Sequence, residues 1–301
     1  MATTAVPELD PRAQLRRGQV YVALAAVAWS TAGVLQRQFS IDVPTQLAGR
    51  ATFAAIALLL WVAIAERGRF LTAWRSIGVA GIGLALCIAI ASAAFIAALN
   101  YTTVARVLFI QAVAPVLAAL LARVLLGEPV GRRTGLALAL ALAGVALMLG
   151  APGGGDATGD ALALLMALAF ALTLVIARHR RDVSMGPATC LSQFFLIAAF
   201  APFSHPDEIG GDDLVALALL GAGQIGLGLA LLTVGARLIP AAQVALISQL
   251  EIVLGPLWVW LAYTEKPDAA TLAGGAIVVA AIVIQTRGSP PRDDGEPCPP
   301  P

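Results

Sequence analysis

Charge is the scarcest thing in this chain. Only 12% of its 301 residues are Asp, Glu, Lys or Arg, where a soluble domain carries about 25%. So few charges cannot cover a water-facing surface. Cysteine is scarce as well. Cys87, Cys190 and Cys298 are an odd number without close spacing, which argues against a disulfide framework or a thiolate metal site. Histidine is limited to His179 and His205, both in expected connections. No His-Glu-x-x-His occurs, and no Gly-Lys-Ser/Thr loop that could cradle a phosphate. No catalytic residue, metal or cofactor is therefore expected. Nucleic acid is not among the expected partners.

What is abundant is apolar. Hydrophobic residues make up 59% of the chain, and the mean hydropathy is +0.86. A bilayer-crossing helix needs about 20 mostly apolar residues. Breaks at charge and Gly/Pro clusters predict ten spans: 19–36, 44–65, 77–99, 102–126, 135–150, 161–177, 187–203, 214–235, 240–263 and 269–285. The fold class is an all-α integral membrane protein. Residues 1–18 read as a polar cytoplasmic segment, with no signal-peptide cleavage site after the first apolar run. Residues 288–301, rich in Pro, Asp and Glu, read as a disordered tail.

The arginines set the orientation. With the N-terminus inside, the inner segments hold Arg12, Arg16, Arg17, then Arg67, Arg69, Arg75, then Arg123, Arg132, Arg133, then Arg178, Arg180, Arg181, then Arg237, Arg287 and Arg292. The outer connections hold only Arg37 and Lys266. Both termini are thus expected to be cytoplasmic, in a cell's inner membrane.

The chain also matches itself. Aligning Gly18 with Gly159 sets Leu24, Ala26, Val34 and Arg37 on Leu165, Ala167, Val175 and Arg178. Aligning Glu128 with Glu265 sets Ala105, Val107, Val116 and Thr134 on Ala242, Val244, Val253 and Thr271. Two repeats of five spans, 19–150 and 151–287, follow. Five is odd, so the halves are inverted. Inverted repeats recur in secondary transporters, with the substrate site at the repeat interface near the midplane.

Particular motifs now carry a resemblance. Tyr101-Thr102-Thr103, Ala114-Pro115-Val116 and Leu126-Gly127-Glu128-Pro129 fall in the first half, and Leu250-Glu251-Ile252 and Thr264-Glu265-Lys266 in the second. With its two five-helix halves, the chain resembles the drug/metabolite transporter superfamily, EamA type, over residues 18–287. It departs where Glu-Pro-Val is usual, having Glu251-Ile252-Val253 with its proline later at Pro256. Within the family it is most similar to YddG-type bacterial amino-acid exporters. The resemblance implies export of aromatic and other neutral amino acids, with a broad drug/metabolite or uniport-type carrier as the alternative.

The informative residues are polar ones inside spans. Glu251 lies mid-span, and its nearest charges in sequence are Arg237 and Glu265. A carboxylate at the bilayer centre costs about 2.5 kcal/mol or more, so it needs a proton, a cation or water. Val244, Ser248, Glu251, Gly255 and Trp258 share a helix face. Ser248 matches Gln111 in the other repeat. The expected cavity wall is Trp29, Ser30, Thr31, Ser92, Gln111, Gln224, Ser248, Glu251 and Trp258. Arg50 and Arg106 either snorkel outward, pair with Glu251, or meet a substrate carboxylate. The expected partners are a small-molecule substrate, the lipid bilayer and, through Glu251, protons, with simple facilitated diffusion left open. Gly221-Ala222-Gly223-Gln224-Ile225-Gly226 fits the dinucleotide fingerprint, but it lies within a span and reads as helix packing. Gly135, Gly144, Gly274 and Gly275 offer the fifth and tenth spans as contact surfaces between copies. Glu128 and Glu265 read as interfacial charges bonding nearby helix ends.

Overall fold

The computed structural model describes residues 11–65, 70–75, 77–127, 132–150, 156–179, 185–236, 238–239, 241–248 and 250–287. The expected tail and Glu128 lie outside the described residues. The first span is α1 (Pro11–Ser30) and α2 (Ala32–Gln36), and the second is α3 (Val43–Ala65). A short connecting helix, α4 (Phe70–Arg75), leads to the third span, α5 (Gly78–Tyr101). The fourth is α6 (Val104–Gln111) and α7 (Ala114–Leu126), and the fifth is α8 (Arg132–Leu149). The sixth is α9 (Ala157–His179) and the seventh α10 (Met185–Phe200). The eighth joins α11 (Gly211–Ala218), a π-helix (Leu219–Leu227) and α12 (Gly228–Ala236). The ninth is α13 (Ala241–Ser248) and α14 (Leu250–Tyr263), and the tenth is α15 (Ala269–Arg287). Among the described residues, seven helices are long and apolar enough to cross a membrane, and Gly135–Leu149, Leu250–Tyr263 and Ala269–Ala281 are shorter apolar ones.

The chain is already helical at Pro11, the first described residue and well before the apolar run begins, and the Arg, Gln and Leu that follow are good helix formers. The breaks have local causes. Ser30 Oγ and Thr31 Oγ1 donate to Val27 O and Ala28 O at 2.7 Å each, and such back-bonding bends helices. The fourth span breaks after Gln111, and Pro115 opens its continuation, where a missing N–H costs nothing. Thr103 caps α6 by accepting the Arg106 N–H at 3.3 Å.

Each half's fourth span ends alike. Gly127 closes α7 with φ +69° and Thr264 follows α14 with φ +54°, each just before its Glu. Left-handed backbone suits glycine, but costs other residues about 1–2 kcal/mol. Thr264→Gly should therefore raise the thermal unfolding temperature in detergent. An unchanged or lower midpoint would contradict the strain.

The halves interlock instead of forming two separate bundles. The first span packs on the eighth and ninth, and the sixth packs on the third and fourth. The second packs on the seventh and eighth, and the fifth runs along the tenth. Exchanging the repeats maps this pattern onto itself. The close approaches use small residues, as lipid-embedded packing requires. A Cβ on Gly144 would lie 2.7 Å from Gly274 O, and one on Gly275 would lie 2.6 Å from Phe109. Three of the four glycines expected to face another copy are thus spent on contacts within the chain. Gly135 alone has open space before it.

Candidate functional site

At one face of the bundle, polar side chains tie the halves together. Arg37 Nε donates to Glu265 Oε2 at 2.9 Å, joining the first span to the ninth. The other guanidinium nitrogens donate to Leu99 O at 2.5 Å and Thr102 O at 2.9 Å, beyond the end of the third span. Glu265 Oε1 accepts the Val104 N–H, at 2.9 Å, at the first position of α6. Glu265 is therefore the helix-end charge that its sequence position implied.

Arg106 completes the tie. Its Nε and Nη2 donate to Asp160 Oδ1 and Oδ2 at 2.5 and 2.7 Å. Arg106 is 1% exposed, so it neither snorkels nor reaches Glu251. Asp160, assigned from sequence to an outer loop, is buried in the first turn of α9. Its negative charge also suits that helix end. Nearby, Asp268 caps α15 through the Thr271 N–H and hydroxyl, at 2.7 and 2.8 Å. Partial burial acts to raise the Asp268 carboxyl. The Thr271 bonds and the Arg106 charge outweigh it and hold that carboxyl below its ordinary value.

Below this face lies a cavity of about 220 Å³ between the halves. Trp29, Arg50, Ser92, Gln111, Gln224 and Glu251 line it. So do Thr189 and Gln193 of the seventh span, and Ile88, Ala91, Phe95, Met166, Phe170 and Ile225 supply its apolar wall. Gln193 was legible as a polar residue inside a span. Its place on the cavity required the packing of α10 against α3 and α5.

The local folds explain the placement. Glu251 is the second described residue of α14, and Gln111 ends α6 at the break of the fourth span. Gln224 sits in the π-helix, a form frequent at functional sites, and its Nε2 donates to Trp29 O at 3.2 Å. Arg50 is 4% exposed and does not snorkel. Its Nη1 donates to Ser92 Oγ at 3.1 Å, and its Nε is buried without a partner. Among the described residues Glu251 has neither a hydrogen bond nor an ion pair, so it does not pair with Arg50.

The other expected residues go elsewhere. Trp258 Nε1 donates to Ser30 Oγ at 2.9 Å, so these two bond each other across the first and ninth spans. Thr31 and Trp258 line a second, apolar hollow of about 720 Å³, shared with Gln224, Leu219 and Leu261. Ser248 is half-buried and borders neither hollow. The fingerprint glycines act as packing surfaces. Gly221 abuts Arg50 O and Phe53, and Gly226 abuts Ala57.

A pseudo-symmetric molecule in one state need not be symmetric, and this one is not. The fourth and ninth spans touch at the Glu265 face, where Gly255 meets Leu108. Among the described residues, α7 and α13 form no comparable packing at the opposite face.

The EamA-like transporter family matches residues 16–150 and again 157–287. No curated protein matches the chain. A solved structure titled "Crystal structure of protein" is similar, with a TM-score of 0.63 and 20% identity over 90% of this chain and 96% of that one. At that identity the likeness carries the fold alone. The family match covers the chain twice, once per half, and its members are multi-pass membrane transporters of small molecules. The helical two-repeat arrangement, the cavity between the halves and this double match agree, and the chain belongs to the EamA-like transporter family.

Proposed function

We propose that the protein exports small metabolites, above all neutral and aromatic amino acids, by alternating access as a secondary transporter. The membrane is the inner membrane, with both termini cytoplasmic. The reading follows the chain's resemblance to YddG-type exporters. The observation that carries this reading is the one-sided contact of the fourth and ninth spans. In the orientation given by the arginines, the tied Glu265 face is outer. The structure then corresponds to a state closed outward, with the cavity beneath the tie. Rocking the halves would exchange the closed face.

The cavity chemistry supports a small polar cargo. Its about 220 Å³ lies under the roughly 300 Å³ at which drug-sized pockets begin. It holds one guanidinium, one carboxyl and several amides against aromatic and aliphatic walls. The apolar hollow of about 720 Å³ beside it favours a second reading, a broad-specificity carrier of hydrophobic solutes. Competition by a hydrophobic drug against amino-acid flux separates the two.

The test is flux in proteoliposomes with membrane potential and pH gradient clamped separately. Saturable uptake of a neutral amino acid, stimulated by the same solute inside, is the expected result. Linear, unstimulated flux would make the protein a pore. In the same assay Glu251→Gln should remove proton dependence. A wild-type flux that ignores the pH gradient would take Glu251 out of coupling and leave facilitated diffusion.

A further inference from the structure

The cavity contains a positive charge that no described residue neutralises. Arg50 is 4% exposed and borders the cavity. Its single hydrogen bond goes to a neutral hydroxyl, Ser92 Oγ at 3.1 Å, and its Nε has no partner. A charged group inside the membrane is costly unless paired. The other deep arginine obeys that rule, since Arg106 is held by Asp160 through two bonds. Arg50 breaks the rule at the wall of a polar cavity between the halves.

The rest of the cavity has the opposite shortage. Gln111 Oε1, Gln193 Oε1 and Gln224 Oε1 are buried acceptors without a donor, and all three residues line the cavity with Glu251. Gln193 turns its Nε2 to Ser192 Oγ at 3.0 Å, which leaves its carbonyl oxygen unmatched. One unmatched donor fork thus shares a small hollow with several unmatched acceptors. A solute that brings a carboxylate and an N–H-rich cation would satisfy both sets.

We infer that Arg50 is the residue that reads the substrate's carboxylate, with Ser92 positioning its guanidinium and the cavity's acceptor-rich amides and Glu251 taking the substrate's ammonium. This rests on the carrier reading above. The fork of Arg50 can offer a carboxylate two parallel hydrogen bonds, one of them from the idle Nε. Lysine would supply the charge without the fork. Solutes without a carboxylate leave the guanidinium buried and bare, and are rejected for that reason.

The experiment compares leucine, phenylalanine and tryptophan with their amides as competitors of amino-acid counterflow in proteoliposomes. In wild type the acids should compete at least about tenfold better than the amides. Arg50→Gln should weaken acid competition by about tenfold or more and bring the acid-to-amide ratio near one. Arg50→Lys should keep part of the preference, and Ser92→Ala should reduce it less than Arg50→Gln. Amides competing as well as acids in wild type would overturn the assignment while leaving the carrier standing. An acid preference unchanged in Arg50→Gln would do the same. If Arg50→Gln does not fold, the wild-type panel and Ser92→Ala still decide. Absence of saturable flux for every solute would remove the carrier reading, and this assignment with it.

Discussion

Asp160→Ala is expected to cost about 3–5 kcal/mol of stability, because it leaves the Arg106 guanidinium charged and alone inside the protein. Arg106 is 1% exposed and its Nε and Nη2 both rely on Asp160. Its Nη1 already lacks a partner, and Asp268, the other carboxylate that feels the Arg106 charge, is engaged in capping α15 through Thr271. The loss should appear as a lowered unfolding midpoint of the detergent-purified protein. Asp160→Asn should fall between, since an amide keeps one acceptor but not the charge. Replacing both residues with apolar ones of similar size should recover most of the loss, as buried ion pairs are often dispensable when removed together. A single Asp160→Ala within about 1 kcal/mol of wild type would mean that the pair is wetted and does not hold the α6 and α9 ends together. Transport should respond too. The pair links the fourth and sixth spans at the face where the halves are tied, so its loss should favour opening there. A cysteine at an α6 position facing the cavity should then react faster with a reagent added from the Glu265 face.

Gly221→Ala should be the next most damaging change, with Gly223→Ala as its control two residues away. A methyl on Gly221 would meet Arg50 O, lie 2.6 Å from Phe53 Cβ and 2.8 Å from Ala54 N. Those atoms belong largely to the backbone of α3 and cannot rotate away. Overpacking of this kind costs about 1–3 kcal/mol. A methyl on Gly223 would meet nothing within 4 Å and should cost little. Gly221→Ala also pushes on the segment that carries Arg50. It should therefore weaken amino-acid competition as well as stability, whereas Gly223→Ala should leave competition near wild type. Equal midpoints for the two variants would show that the eighth span has slack against the second.

How far the site could be read in advance differs residue by residue. Glu251 announced itself, because an acid amid an apolar run has few tolerable fates in lipid. Gln111 and Gln224 were legible for the same reason. Arg50 and Arg106 looked alike in sequence, each a cation one to two turns from a span's end. Only packing separated them: α9 brings Asp160 to Arg106, while α5 brings the uncharged Ser92 to Arg50. Asp160 itself looked like a loop acid, since hydropathy cannot tell an interfacial carboxylate from one drawn into a helix by a buried partner. Ser30 and Trp258 were legible as polar, but not that they satisfy each other across the first and ninth spans. Of the fingerprint glycines, Gly221 and Gly226 pack on α3, whereas Gly223 borders the apolar hollow.

The amino-acid sequence by itself determined that the chain lies in a membrane, that it crosses in apolar segments, and that five segments repeat in inverted order. Hydropathy and charge placement act along the chain, so they survive in one dimension. Tertiary structure decided which buried charge is matched and which is left waiting, how the two halves interlock, and at which face they are tied. Those are contacts between residues as far apart as Arg37 and Glu265. Local composition holds no record of which of several equivalent helix ends will meet.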